Sequence, residues 1–173
     1  MFLGLVLVTF YPACASSQSC SATWTGNAGN GSWSTAGNWS PRKVPGSTSD
    51  VCIPTFTTAN GAGLDGSSSS ISVHSIQVAQ GGSLLFGSGK VSISTSLLNQ
   101  GFITLYGTTL SAGSIDMPNP GDIDSYDNSS ITSPAFSNST GTLYVGPGGH
   151  RLRRKAEGGG GDSLFHDEVG CPE

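Results

Sequence analysis

A twenty-residue period runs through the middle of this chain. Gly61, Gly81, Gly101, Gly121 and Gly141 fall at equal intervals, and the residues after the glycine repeat as well. Gly101-Phe102-Ile103-Thr104-Leu105, Gly121-Asp122-Ile123-Asp124 and Gly141-Thr142-Leu143-Tyr144-Val145 each place an apolar residue two positions on. Gly82-Ser83-Leu84 is a further copy, displaced by one residue. Asparagine recurs just upstream at Asn99 and Asn119, and one step earlier at Asn138. A fixed period of this length marks stacked units, none of which can bury its apolar face alone.

Between the glycines the apolar residues alternate in short bursts: Ile71-Val73, Ile76-Val78, Leu84-Phe86, Val91-Ile93, Ile103-Leu105 and Leu143-Val145. Such bursts, with period two, are strands and are too short for helices. The expected fold is all-β: a single-stranded, right-handed parallel β-helix (a solenoid) with about twenty residues per coil. Handedness follows from the general rule for parallel crossovers. Four coils spaced by about 4.8 Å would form a rod about 20 Å long. Ile103, Ile123 and Leu143 should form one inward column, which Leu84 joins if the register slip is a local insertion. An antiparallel sandwich also has many short strands, but it repeats every 8–12 residues or so without a superperiod. The five periodic glycines are expected at the corners, where positive φ is easiest for glycine, with Asn99 and Asn119 beside them.

The chain divides into residues 1–15, a signal peptide; 16–60, a tryptophan-rich cap and first strand; 61–146, the coils; and 147–173, a disordered or aberrant tail. Phe2 to Phe10 is continuously apolar, and Ala13 and Ala15 frame a signal-peptidase site. That run is too short to span a bilayer, which takes about 20 residues, so the mature chain should have no transmembrane span. Removal of the signal leaves Cys20, Cys52 and Cys171. In an oxidising compartment Cys20 and Cys52 would staple the segment between them, and Cys171 would be left over. The tail holds a basic run, His150-Arg151-Leu152-Arg153-Arg154-Lys155, followed by four glycines. The stack would then lack its own C-terminal cap, as expected for one end of a longer β-helix.

The segment from Trp24 to Ile53 sets Trp24, Trp33 and Trp39 among glycine and asparagine turns, followed by Val44-Pro45-Gly46 and Asp50-Val51-Cys52-Ile53. This string resembles the opening of bacterial secreted and cell-surface parallel β-helix proteins of the autotransporter-passenger type. The resemblance covers about thirty residues and implies architecture, with almost nothing about activity. It implies that the three tryptophans cover the open end of the stack, as terminal units of repeat arrays must. The alternative use for them is a sugar-stacking platform.

Candidates for chemistry are sparse. Asp122, Asp124 and Asp127 form the main carboxylate cluster, and Ile123 pointing inward would put Asp122 and Asp124 together on the outer face. Such carboxylates suit calcium or acid–base hydrolysis of a polysaccharide. A solvated outer face is the simpler expectation, because the spacing fits neither the EF-hand loop nor the nonapeptide calcium repeat. No cofactor is therefore expected, with calcium the candidate if there is one. No catalytic residue is recognisable: His74 is solitary, His150 and His166 lie in the tail, and serine is too abundant for any pairing to carry meaning. Asn30, Asn38, Asn128 and Asn138 begin glycosylation sequons, partly a result of serine-rich composition.

Charged residues make up only 10% of the chain, and Lys90 is the sole lysine or arginine between Asp50 and Gly146. A nucleic-acid surface needs clustered basic residues, so that partner class is excluded for the coils. The expected function is a secreted or surface-exposed structural or adhesive module, with surface glycans or proteins as partners. The alternative is a carbohydrate-active β-helix, a lyase or hydrolase fragment. An ice-binding face would need one threonine column, which Thr104, Thr108 and Thr142 do not make.

Overall fold

A computed structural model describes residues 19–56, 64–65, 69–118, 120–139, 141–147 and 150–153. The signal segment, Gly61, Asn119, Cys171 and most of the tail lie outside those residues. The described chain is a parallel β-solenoid of about four turns. Its strands, in chain order, are β1 (Ala22–Trp24), β2 (Trp39–Ser40), β3 (Asp50–Ile53), β4 (Leu64–Asp65), β5 (Ser69–Val73), β6 (Ser75–Val78), β7 (Ser83–Asn99), β8 (Phe102–Met117), β9 (Asp122–Tyr126), β10 (Ser130–Thr132), β11 (Ala135–Asn138), β12 (Thr142–Val145) and β13 (His150–Arg153).

These strands stack into three ladders. The first joins β4, the start of β7, the start of β8, β9 and β12. The second joins β5, the middles of β7 and β8, β10 and β13. The third joins β1, β3, β6, the ends of β7 and β8, and β11. Every described pairing is parallel except β1 with β2. Sequence alternation marks short bursts, whereas β7 and β8 each run as one strand through all three ladders, with a register shift between Ile93 and Ser96. The second ladder also continues through β13, inside the stretch that the sequence marks as a tail.

The core is a set of inward columns. Leu84, Ile103, Ile123 and Leu143 are in register on the first ladder, so Leu84 joins the column. Ile71, Val91, Leu110 and Ile131 form the second column, and Val51, Ile76, Leu97 and Ile115 the third. Apart from the half-buried Leu143, all of these are buried. Each contributes about 1.5–3 kcal/mol by leaving water, and it does so only when a neighbouring coil is present above and below.

The glycines need a different explanation from positive φ. Among Gly81, Gly101, Gly121 and Gly141, only Gly81 has positive φ, at 76°. Gly81 also lies outside the stack, because Gly82 is the residue in register with Gly101, Gly121 and Gly141. Phe102 N–H donates to Gly82 O (2.9 Å), Asp122 N–H to Gly101 O (2.8 Å) and Thr142 N–H to Gly121 O (3.1 Å). A Cβ at Gly101, Gly121 or Gly141 would overlap the carbonyl oxygen of Gly82, Asn99 or Gly121 respectively. Glycine is required there by close backbone approach between coils. Asn99 supports the same corner: its Oδ1 accepts Gly101 N–H at 3.1 Å and its Nδ2 donates to Asp122 O at 2.8 Å.

Left-handed backbone is concentrated at the corner between the first and second ladders instead. Ser88 (φ 58°), Gly107 (φ 55°) and Asp127 (φ 52°) stack there, followed by Asn128 (φ 62°). Asp and Asn tolerate this region better than most residues, which accounts for Asp127 without any ligand.

At the N-terminal end Trp24, Trp33 and Trp39 are all buried. Trp39 meets Trp24 edge-on at 5.1 Å and Trp33 at 4.8 Å, and Trp33 lies 6.3 Å from Phe86 of the coil beyond. Asn38, also buried, fixes the surrounding loop by donating to Asn30 Oδ1 and Ser32 O while accepting from Ala28 N–H. A disulfide joins Cys20 to Cys52 and so ties the opening segment to β3.

Candidate binding face

With the tryptophans buried, their ring faces are closed to a sugar, and the exposed aromatic surface lies elsewhere. Side chains that point out of the first ladder form three lines along the stacking axis. One runs Ser83, Phe102, Asp122, Thr142; the next Leu85, Thr104, Asp124, Tyr144; the third Gly87, Tyr106, Tyr126. Phe102 is 53% exposed, Tyr106 40% and Tyr144 48%. With Val145 these are the exposed large apolar side chains among the described residues, and all four belong to this ladder. Tyr106 and Tyr126 stack at 5.1 Å with their planes 17° apart, and Tyr144 tilts against Tyr126 at 5.7 Å.

Asp122 and Asp124 lie within this aromatic surface, on either side of the inward-facing Ile123. Asp122 Oδ1 accepts the Thr142 amide at 3.0 Å. Among the described residues the Asp124 carboxylate has no hydrogen-bond or ion-pair partner. Its pKa is raised above the ordinary aspartate value, first by partial burial and second by the charge of Asp122. The Tyr126 phenol is raised too, by burial and then by the Asp124 charge. The ladder carries no lysine or arginine. Asp127 sits at the neighbouring corner, and no three His, Cys, Asp or Glu side chains among the described residues group as metal ligands.

The other ladders differ in chemistry. The second presents Ser70, Ser72, Ser92, Thr109, Ser111, Ser130 and Thr132, interrupted by Lys90. Thr104 and Thr142 belong to different lines of the first ladder, and Thr108 is buried at the corner, donating to Phe86 O and Tyr106 O. The third ladder bears a shallow depression bordered by Ser19, Gln77, Ser96, Leu98 and Asp116.

His74 is not solitary. Its Nδ1 lies 2.7 Å from Asp50 Oδ1, and Ser75 Oγ donates to that same oxygen. Serine and imidazole thus share one carboxylate side by side, whereas a nucleophile relay would set the imidazole between hydroxyl and carboxylate. This contact tethers β3 to the next coil.

The aromatic surface is a feature that no sequence motif marks. Tyr106 and Tyr126 are twenty residues apart, so the period itself contains the signal. Comparison with known proteins gives no match to a protein family, to a curated protein or to a solved structure.

Proposed function

We propose that this chain is a secreted or surface-displayed structural and adhesive module that presents its first ladder to glycans or proteins of a neighbouring surface. The supporting observation is the gathering of Phe102, Tyr106 and Tyr144 on one outer face, where with Val145 of the same ladder they are the exposed large apolar side chains among the described residues. Contiguous exposed apolar surface on a folded protein marks an interaction site. Export agrees with the Cys20–Cys52 bridge, since disulfides persist in oxidising compartments. No helix among the described residues is long and apolar enough to cross a membrane. The opening-segment resemblance adds a bacterial, autotransporter-like setting to this reading.

The test is retention on a glycan array and on immobilised surface proteins, comparing the protein with a Phe102→Ser/Tyr106→Ser/Tyr144→Ser variant. Retention lost in the variant, with thermal unfolding unchanged, is the expected result. Equal retention would defeat the adhesive reading. Asp122 and Asp124 favour one rival, because residues two apart on a strand are separated by about 6.7 Å, close to the carboxylate spacing of inverting glycosidases. Reducing sugar released from a polysaccharide, and abolished by Asp122→Ala or Asp124→Ala, would replace adhesion with hydrolysis.

A further inference from the structure

Resting on the adhesive reading, we infer that the first ladder docks a polycationic glycan, a hexosamine polymer with free amino groups, laid along the stacking axis with ammonium groups against Asp122 and Asp124. Charge is the first reason. The two carboxylates stand on one face without a basic partner among the described residues, and the whole chain carries a formal net charge of −4. Their surroundings are the second reason. Asp122 lies between Phe102 and Thr142 in its line, while Asp124 lies next to Tyr144 and two residues before Tyr126. Aromatic rings beside carboxylates are the surface that an ammonium group prefers, and each ring contact at an exposed site is worth about two- to fivefold in affinity.

Geometry selects a sugar polymer over a basic peptide. Phe102 and Tyr106, then Tyr126, then Tyr144 stand on three successive coils, spaced along the axis by about 4.8 Å, close to the length of one sugar ring. An extended peptide would need partners for its own main-chain N–H and C=O groups. Those of the central coils are engaged between coils, as in Asp122 N–H to Gly101 O and Thr142 N–H to Gly121 O. The outer face offers only side chains: phenol hydroxyls, carboxylates and ring edges. Sugar hydroxyls and ammonium groups satisfy all of these.

The experiment is calorimetric titration of the full chain, at low salt and about pH 5.5, above the ordinary aspartate range. The probes are a glucosamine hexamer, its fully N-acetylated counterpart and hexalysine. The glucosamine hexamer should bind about tenfold more tightly than the acetylated one, and Asp122→Asn/Asp124→Asn should remove most of that difference. Thermal melts establish that the variant is folded, and Phe102→Ser gives a second, charge-neutral perturbation that should weaken binding about two- to fivefold. Equal binding of the two hexamers, or indifference to the double variant, overturns the proposal. Hexalysine binding as tightly as the glucosamine hexamer, with the same sensitivity, makes the partner a basic peptide instead. If no probe binds while surface retention still depends on Phe102, Tyr106 and Tyr144, the cationic glycan is wrong and adhesion stands.

Discussion

Gly101 lies so close over Gly82 that no side chain fits between them: its Cβ would meet the Gly82 oxygen and come within 2.6 Å of Ala79 O. Both obstacles are backbone, so neither can rotate away. Gly101→Val should therefore cost about 2–4 kcal/mol, at the upper end for overpacking. Ser96→Val, on the outer side of the third ladder, should stay within about 0.5 kcal/mol. Urea titrations of the two variants check this, and similar midpoints would show that the coils are not packed against each other at that corner.

The lap length, the strand content and the column Leu84–Ile103–Ile123–Leu143 were legible because a parallel stack repeats its burial pattern with the coil. The reason for the glycines was not. A sequence shows that glycine recurs, but both positive φ and close approach call for it, and only the backbone separates them. The true left-handed corner carries Ser88, Gly107 and Asp127, three residue types with no common letter to reveal it. His74 with Asp50 escaped for another reason: the two meet across adjacent laps, and no motif spans that distance. On the outer face of the first ladder, Asp122 and Asp124 could be placed outward by alternation alone. The Tyr106–Tyr126 pair follows the twenty-residue period, but where its line ends needed the register, since the residue one coil below Tyr106 is Gly87.

The tryptophans at the N-terminal end are not equivalent. Trp39 Nε1–H donates to Trp33 O at 2.7 Å, whereas the buried Trp24 Nε1–H has no partner among the described residues. Replacing each by phenylalanine removes similar apolar area but only one hydrogen bond. Trp39→Phe should be more destabilising than Trp24→Phe by about 1 kcal/mol, the usual net value of such a bond plus its stranded acceptor. Chemical denaturation of both variants decides it, and a larger loss for Trp24→Phe would contradict the assignment.

The bridge between Cys20 and Cys52 holds strands that are already neighbours, since Thr23 pairs with Cys52. Its closed loop contains the tryptophan segment, so reduction releases the unfolded ensemble by about 3–4 kcal/mol. For a chain of this length the melting temperature should fall by about 6–16 °C in reductant. Cys20→Ser/Cys52→Ser should melt at the reduced temperature and ignore reductant. A melting point that reductant leaves unchanged in the parent protein would mean that the opening segment holds its place without the bridge.

Asp124 supplies a pH dependence of defined sign. Its folded pKa is raised, by burial and then by Asp122, so the folded state holds its proton more strongly than the unfolded chain does. Stability from this group is therefore greatest at low pH, falls as pH rises through the interval between the unfolded and folded values, and stays reduced at neutral pH. Asp124→Asn removes the charge throughout. At pH 7 the variant should melt about 1–2 °C above the parent, a small effect because the pair is largely solvated. At about pH 3, where the parent carboxyl is protonated, the two curves should converge. A gap of the same size at both pH values would point to packing and not charge. A more stable variant that also loses the glucosamine hexamer would identify the uncompensated charge as something retained for binding at the expense of the fold.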